Sequence, residues 1–357
     1  MPEVSVIIPT YNYARFLATA IRSVLGQTIE DIELIVVDDG STDNTRDVVA
    51  QFESDRRVRY AYQKNQGDAP ARVHGLTLAT GRYLGFLDSD DYWLPEKLEL
   101  QLAALRDNPA AGAVHSAVYL DVIDSEQRVI FRTLLTRPPL REKTLYAELL
   151  YRMIITGSHS SVVVPRAVLD RVGVFDPTLM SCDWDLWRRI AWEHEILYID
   201  IPLSVLRRHG SNQTANPDIV ADNSERILRK FASDIPLELR YHLPRMRLER
   251  YLKVAWMYWQ AGRAGTAVHY LGKTLANAWR CPVFTARYLA ESLLRKARRR
   301  WDRSFGRPTS DSPALDISIN LAPVITHSAR GSAPHESPAP VPTRGSPVLH
   351  TQYTDSP

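Results

Sequence analysis

The chain has 357 residues, 45% hydrophobic and 24% charged, with a formal net charge of +3; this composition excludes a disordered or membrane-embedded class and suits one large domain plus an appendage. Two cysteines, Cys182 and Cys281, are too few for a disulfide framework and lack metal-ligand spacing, which points to a reducing compartment. The opening MPEVSVIIPT has no basic lead or cleavage site, and no stretch approaches the roughly 18 apolar residues of a membrane span, so a cytoplasmic protein, soluble or peripheral, is expected.

From residue 4 to about 116, short apolar runs alternate with amphipathic stretches: VSVII (4–8), ELIVV (33–37), VRYAY (58–62), YLGFL (83–87) and GAVHS (112–116). Such runs predict buried parallel strands. Phe16, Leu17, Ala20, Ile21, Val24 and Leu25 recur at helical spacing after the first strand; a second helix is expected after Asp43 and a third over about 69–79. The fold class is therefore α/β, a doubly wound, mostly parallel sheet. Ligands of such sheets sit beyond the carboxyl ends of the strands. Three polar clusters fall there: PTYN, DDGS and DSDD. In the last, FLDSDD (86–91), three carboxylates repel one another and lose solvation if partly buried, so the cluster calls for a cation or open water.

Farther along, SVVVP (161–165) predicts a short strand and WDLWRRIAWEH (184–194) an amphipathic helix with Asp183 at its start. Residues 222–305 read as helical, and 251–282 resemble one tetratricopeptide-like hairpin. Residues 287–307 carry eight Arg and Lys against Glu291 and Asp302, with Leu289, Leu293, Leu294, Ala297 and Trp301 on a stripe. Such a helix either packs on the hairpin or lies in an anionic membrane interface. No basic groove with interleaved aromatics accompanies it, so nucleic acid is not an expected partner. The Pro/Ser-rich tail is expected to be disordered. The expected organisation is a catalytic domain over 1–220, a helical region over 221–306 and the tail over 307–357.

Taken together, VSVIIPTYN, LIVVDDGSTDNT, NQGDAPARVHGLTLATGRYLGFLDSDDYWLP and CDWDLW resemble glycosyltransferase family 2 on the GT-A fold, over roughly residues 3–215. The resemblance implies a metal-dependent, inverting transferase of the hexosyltransferase type. It would move a sugar from a nucleotide-diphosphate donor, a UDP-sugar, to a hydroxyl of a glycan or lipid-linked acceptor in polysaccharide or envelope biosynthesis. Asp88, Ser89 and Asp90 match the family's DXD motif: Asp90 would bind Mn²⁺ or Mg²⁺ and Asp88 assist with ribose or metal. Asp91 either joins them or caps the turn toward Pro95. Asp39 would accept the N–H of the base, Tyr11 pack on the base and Pro9 line the same pocket, while Asp38 points away. Arg72 would reach phosphate or base, although Val73 stands where the family has Asn. Asp183 would be the catalytic base, with Cys182 in place of the usual Glu, and Asp185 its competitor. His209 and Arg208 would close on the diphosphate or metal. GSHSS (157–161) either lines the acceptor pocket or is a turn.

Rival readings are weaker. The phosphatase loop that also carries DxD lies near an amino terminus and lacks a residue like Tyr92 at that place; receiver domains lack a strand before their acidic pair; and no GxGxxG supports an oxidoreductase. The remaining alternative is a catalytically inactive sugar-nucleotide or glycan-binding protein on the same fold.

Overall fold

The computed structural model describes residues 1–210, 216–282 and 349–350. β1 (Val4–Thr10) leads through α1 (Ala14–Leu25) to β2 (Ile32–Asp38), α2 (Thr45–Ala50), β3 (Val58–Tyr62), α3 (Asp68–Leu78) and β4 (Tyr83–Phe86). These strands pair in parallel in the order β3-β2-β1-β4. A parallel sheet needs both faces covered, and the two-residue period of β1 divides its side chains accordingly. Val4, Val6 and Ile8 pack with Leu17, Ile21 and Val24 of α1, whereas Ile7 packs with Ala71 and Leu76 of α3.

The chain continues through β5 (Tyr92–Trp93), α4 (Lys97–Asp107), β6 (Ala113–Ile123), β7 (Val129–Leu135), α5 (Leu145–Leu149), a 3-10 turn over Ser158–Ser161, β8 (Val163–Pro165), α6 (Arg166–Val172), α7 (Cys182–Glu193) and β9 (Ile196–Arg208). β8 enters antiparallel between β4 and β6, and β6 runs parallel to β9. The run at 112–116 is thus a strand, but it does not continue the parallel series beside β4. An apolar run reports burial and says nothing of which neighbour covers it.

α8 (Pro217–Asp234) lays Ile227, Leu228 and Phe231 into the core that holds Leu149 and Trp184. α9 (Leu243–Gln260) and α10 (Ala264–Ala278) form the expected hairpin, turned at Gly262, whose φ is 73°. The two-residue strand β10 (Leu349–His350) pairs antiparallel with β9; apart from it, the expectations for 287–307 and for the tail lie outside the described residues. Among the described residues no helix is long and apolar enough to cross a membrane.

β1 is the switch point of the sheet, with β2 and β3 built to one side and β4 to the other, which opens a crevice beyond the carboxyl ends of β1 and β4. The connections there are locked locally. Asn12 takes φ 56°, a left-handed conformation Asn tolerates. Its Oδ1 accepts from Thr42 N at 2.7 Å, and its own N–H donates to Ser41 Oγ at 2.9 Å, tying the loop after β1 to the loop after β2. Gly40 has φ 79°, and a Cβ there would lie 2.7 Å from Asn65 N, so the glycine of DDGS is a steric requirement.

Candidate active site

β4 ends at Phe86 and delivers Asp88, Ser89, Asp90 and Asp91 into the crevice. Oxygens of Asp88, Asp90 and Asp91 lie within 4.8 Å of one another. The three are not equivalent. Asp91 is buried, and its carboxylate accepts from Ser160 Oγ at 2.6 Å and from Arg207 N at 2.9 Å. The protein thus holds the third carboxylate by two hydrogen bonds in the interior, while Asp88 and Asp90 are half-buried at the crevice. Burial pushes the Asp88 carboxyl above the ordinary carboxylate range, an effect that the Arg72 charge opposes and the Asp90 charge reinforces. Burial raises Asp91 well above that range, with Asp90 and Asp88 adding to the rise. Mutually repelling oxygens in partial burial fit a hard divalent cation, which takes oxygen donors and would relieve both effects.

Basic groups surround the cluster. Arg72, fully buried on α3, ion-pairs with both Asp68 and Asp88, so its guanidinium offsets part of the negative charge of the acidic loop. His209, just past the end of β9, places Nε2 3.1 Å from Asp90 Oδ2 and stacks on Phe16 with ring centres 4.7 Å apart. His159 Nδ1 lies 4.0 Å from Asp88 Oδ1; burial and the Arg72 charge hold this imidazole neutral, well below its usual range.

Asp183 opens α7 and accepts a hydrogen bond from Ser158 Oγ. Burial raises its carboxyl above the ordinary range, and its charge in turn contributes to the rise at Asp88, so it stands within electrostatic reach of the acidic loop. Asp185, one of the two carboxylates weighed as a base, is fully buried and ion-paired to Arg188 at 3.1 Å and Arg189 at 2.9 Å. Cys182 is fully buried, and burial raises its thiol to about 12, so it packs as an inert small side chain.

The segment 157–161 joins the two halves of the site. Ser158 holds Asp183, while Ser160 donates to Asp91 and accepts from Asp88 N at 3.1 Å. The Ser160 carbonyl accepts from Trp93 Nε1 at 2.7 Å and Ser204 Oγ at 2.8 Å, which anchors the turn to β5 and β9. Ser158, Ser160 and Arg207 were not singled out individually in the sequence; the signals were the polar run GSHSS between apolar stretches for the serines and, for Arg207, its place at the start of RRHGSNQT (207–214), the segment that carries Arg208 and His209. Ser160→Ala is expected to cost about 1–3 kcal/mol, because it strips a donor from buried Asp91 and leaves the Asp88 N–H without its acceptor. Urea unfolding measures it, and an unchanged midpoint would remove Ser160 as the anchor of this loop.

On the opposite side of the crevice, Asp39 follows β2 and accepts from Gln63 Nε2 at 2.7 Å, Gln66 N at 2.9 Å and Gly67 N at 2.7 Å. Of the roughly four acceptor positions of a carboxylate, about one remains for a ligand. Asp38 accepts instead from Tyr60 OH and Ser41 N, both at 2.8 Å, and faces away from Asp39's partners. Pro9 is buried at the end of β1, and Tyr11 beyond it is 41% exposed, a ring open to stacking. Ser89 is buried between the two outer carboxylates.

Comparison with known proteins gives concordant findings. Residues 5–172 match the model of Glycosyl transferase family 2. An uncharacterized glycosyltransferase, alr2836, of Nostoc sp. is 35% identical over 224 residues, 59% of this chain and 66% of that one. The chain spans only 34% of the length of two similar Rickettsia glycosyltransferases. Among solved structures, S. aureus TarS 1-349 in complex with UDP-GlcNAc aligns with a TM-score of 0.50 at 17% identity, over 81% of this chain and 92% of that one. Mannosyltransferase PcManGT from Pyrobaculum calidifontis in complex with GDP-Man and Mn²⁺ aligns with a TM-score of 0.50 at 19% identity, over 80% of this chain and 83% of that one. The likeness to both is one of fold, the mostly parallel GT-A sheet expected from the sequence.

Proposed function

The chain belongs to glycosyl transferase family 2 through residues 5–172, and from that premise we propose that it transfers a sugar, with inversion, from a nucleoside-diphosphate donor to a hydroxyl of a glycan or lipid-linked acceptor. The observation that supports this most is the pairing of the Asp88–Asp90–Asp91 cluster with Asp183, held to one another through the turn at 158–160.

Asp90 and Asp88 would hold Mn²⁺ or Mg²⁺, with His209 beside Asp90. An ion held there would supply positive charge opposite the leaving diphosphate. Arg72 already pairs with Asp88, which lowers the repulsion between that carboxylate and incoming phosphates. Tyr11 and Asp39 would seat the base, uracil being the reading favoured by the TarS likeness in fold and guanine by that of PcManGT. Asp183 takes the acceptor proton: the hydroxyl oxygen bonds to the anomeric carbon, the proton passes to the Asp183 carboxylate, and the bond to the diphosphate breaks with its electrons going to phosphate. A carboxyl raised above its ordinary range binds that proton more readily than a free aspartate would. One displacement, with base and leaving group on opposite sides of the carbon, inverts it. Titration of UDP in the presence and absence of Mn²⁺ tests the donor side: binding that needs the metal supports the reading, and equal binding without it counts against it.

A further inference from the structure

α8, α9 and α10 enclose an open cleft of about 480 Å³ that shares no residue with the candidate active site. Its lining carries Arg229, Arg247, Lys273 and Arg280 against one carboxylate, Glu225. Glu225 is already engaged, by Lys273 Nζ at 2.6 Å and by Tyr251 OH at 3.3 Å. Among the described residues no carboxylate lies within ion-pair distance of Arg229, Arg247 or Arg280, so the cleft keeps an excess of guanidinium groups suited to phosphate oxygens.

The adjoining side of α10 is apolar and open. Val268, Leu271, Leu275 and Trp279 follow helical spacing on one face, with Leu275 and Trp279 both 70% exposed. On α9, Trp256 and Trp259 are exposed as well. Arg280 connects the two surfaces, since it lines the cleft and its guanidinium lies 5.1 Å from the Trp279 ring centre. Exposed indoles beside guanidinium groups suit a bilayer interface, where the ring sits at headgroup depth and the cation meets phosphate. A symmetric contact between two copies would instead bring the same cations together and repel. The chain also continues from Pro282 into 287–307, where eight Arg and Lys face two acidic residues in the sequence.

We propose that the α8–α10 unit docks on an anionic lipid surface, with phosphate headgroups in the Arg229–Arg247–Arg280 cleft and the Leu275–Trp279 face in the interface. Juxtaposition of the cleft and the apolar face on one helix carries the proposal, which stands apart from the transferase reading. The test is sedimentation of the full chain with phosphatidylcholine vesicles, with and without phosphatidylglycerol. Wild type is expected to bind only the anionic vesicles and to be released by salt. Arg229→Ala/Arg247→Ala/Arg280→Ala should bind about a hundredfold more weakly, as three interfacial cations are lost. Leu275→Ser/Trp279→Ser should also weaken binding, while both variants keep the wild-type melt and the wild-type UDP titration. No binding by wild type, or equal binding by all three proteins, overturns the proposal. So does a wild-type dimer abolished by Leu275→Ser/Trp279→Ser, which would assign the face to a second copy. Retention of inorganic phosphate in the cleft without any vesicle binding would assign it to a soluble anion and overturn it equally.

Discussion

Replacing Asp183 by Asn is expected to lower kcat for sugar transfer by roughly 10²–10⁴-fold while donor affinity stays within about threefold of wild type. The amide is isosteric and can still accept from Ser158 Oγ, so the turn over Ser158–Ser161 should keep its place. Only the proton acceptor is lost, and the proton moves only in the chemical step. Asp185 provides the contrast two residues away. It bridges Arg188 and Arg189 with no exposure, so Asp185→Asn should act on stability, by about 1–3 kcal/mol, because it removes the charge of two buried charge-assisted hydrogen bonds while Arg188 keeps Asp234 and Arg189 keeps the carbonyls of Val172 and Val174. A pH profile separates the roles further. A base works when deprotonated, so the rate should fall as pH drops through the Asp183 value, which burial places above the ordinary carboxylate range. Near-normal turnover by Asp183→Asn would move the role to another carboxylate.

Asp90→Asn is expected to weaken metal-supported UDP binding by about 100-fold or more, since even groups one shell removed from a metal cost 10–100-fold. The same change should spare the metal-free fold. Asp88 and Asp91 have folded values raised above their unfolded ones, so their contribution to stability is full at acid pH and is lost as pH rises through those raised values. Asp90's charge is part of that rise. Its removal should therefore leave stability little changed at acid pH and favour the variant increasingly toward neutral and alkaline pH. Thermal melts across pH, without metal, measure the difference between the two proteins. A variant that loses stability as pH rises would show that Asp90 serves the fold, through His209, rather than a ligand.

The sequence made the left half of the sheet legible because β1, β2 and β4 are buried end to end, and a parallel strand covered on both faces must be an unbroken apolar run. The polar clusters at their ends were legible for the same reason, since charge directly after such a run has only the sheet edge to occupy. The right half was harder. β7 is mostly exposed, so its VIFRTLL carries no burial pattern to read. β8 is three residues long, and its antiparallel entry between β4 and β6 depends on neighbours that no local pattern names. Within the site, the carboxylates could be recognised by type, but their division of labour could not. Asp91 differs from Asp88 and Asp90 because Ser160 and the Arg207 N–H reach it from segments 69 and 116 residues away. Arg72 likewise has its place on Asp88 through the packing of α3 against β1, a contact of tertiary structure.

The central claim, a metal-dependent sugar transferase built on Asp88, Asp90 and Asp183, is tested most directly by incubating the full chain with UDP- and GDP-sugars and following release of the nucleoside diphosphate. The panel is run with Mn²⁺, with Mg²⁺ and with chelator. Slow release from one donor class, present with metal, absent with chelator and lost in Asp90→Asn, is the predicted result. Release that ignores the chelator, or survives Asp90→Asn unchanged, would contradict it.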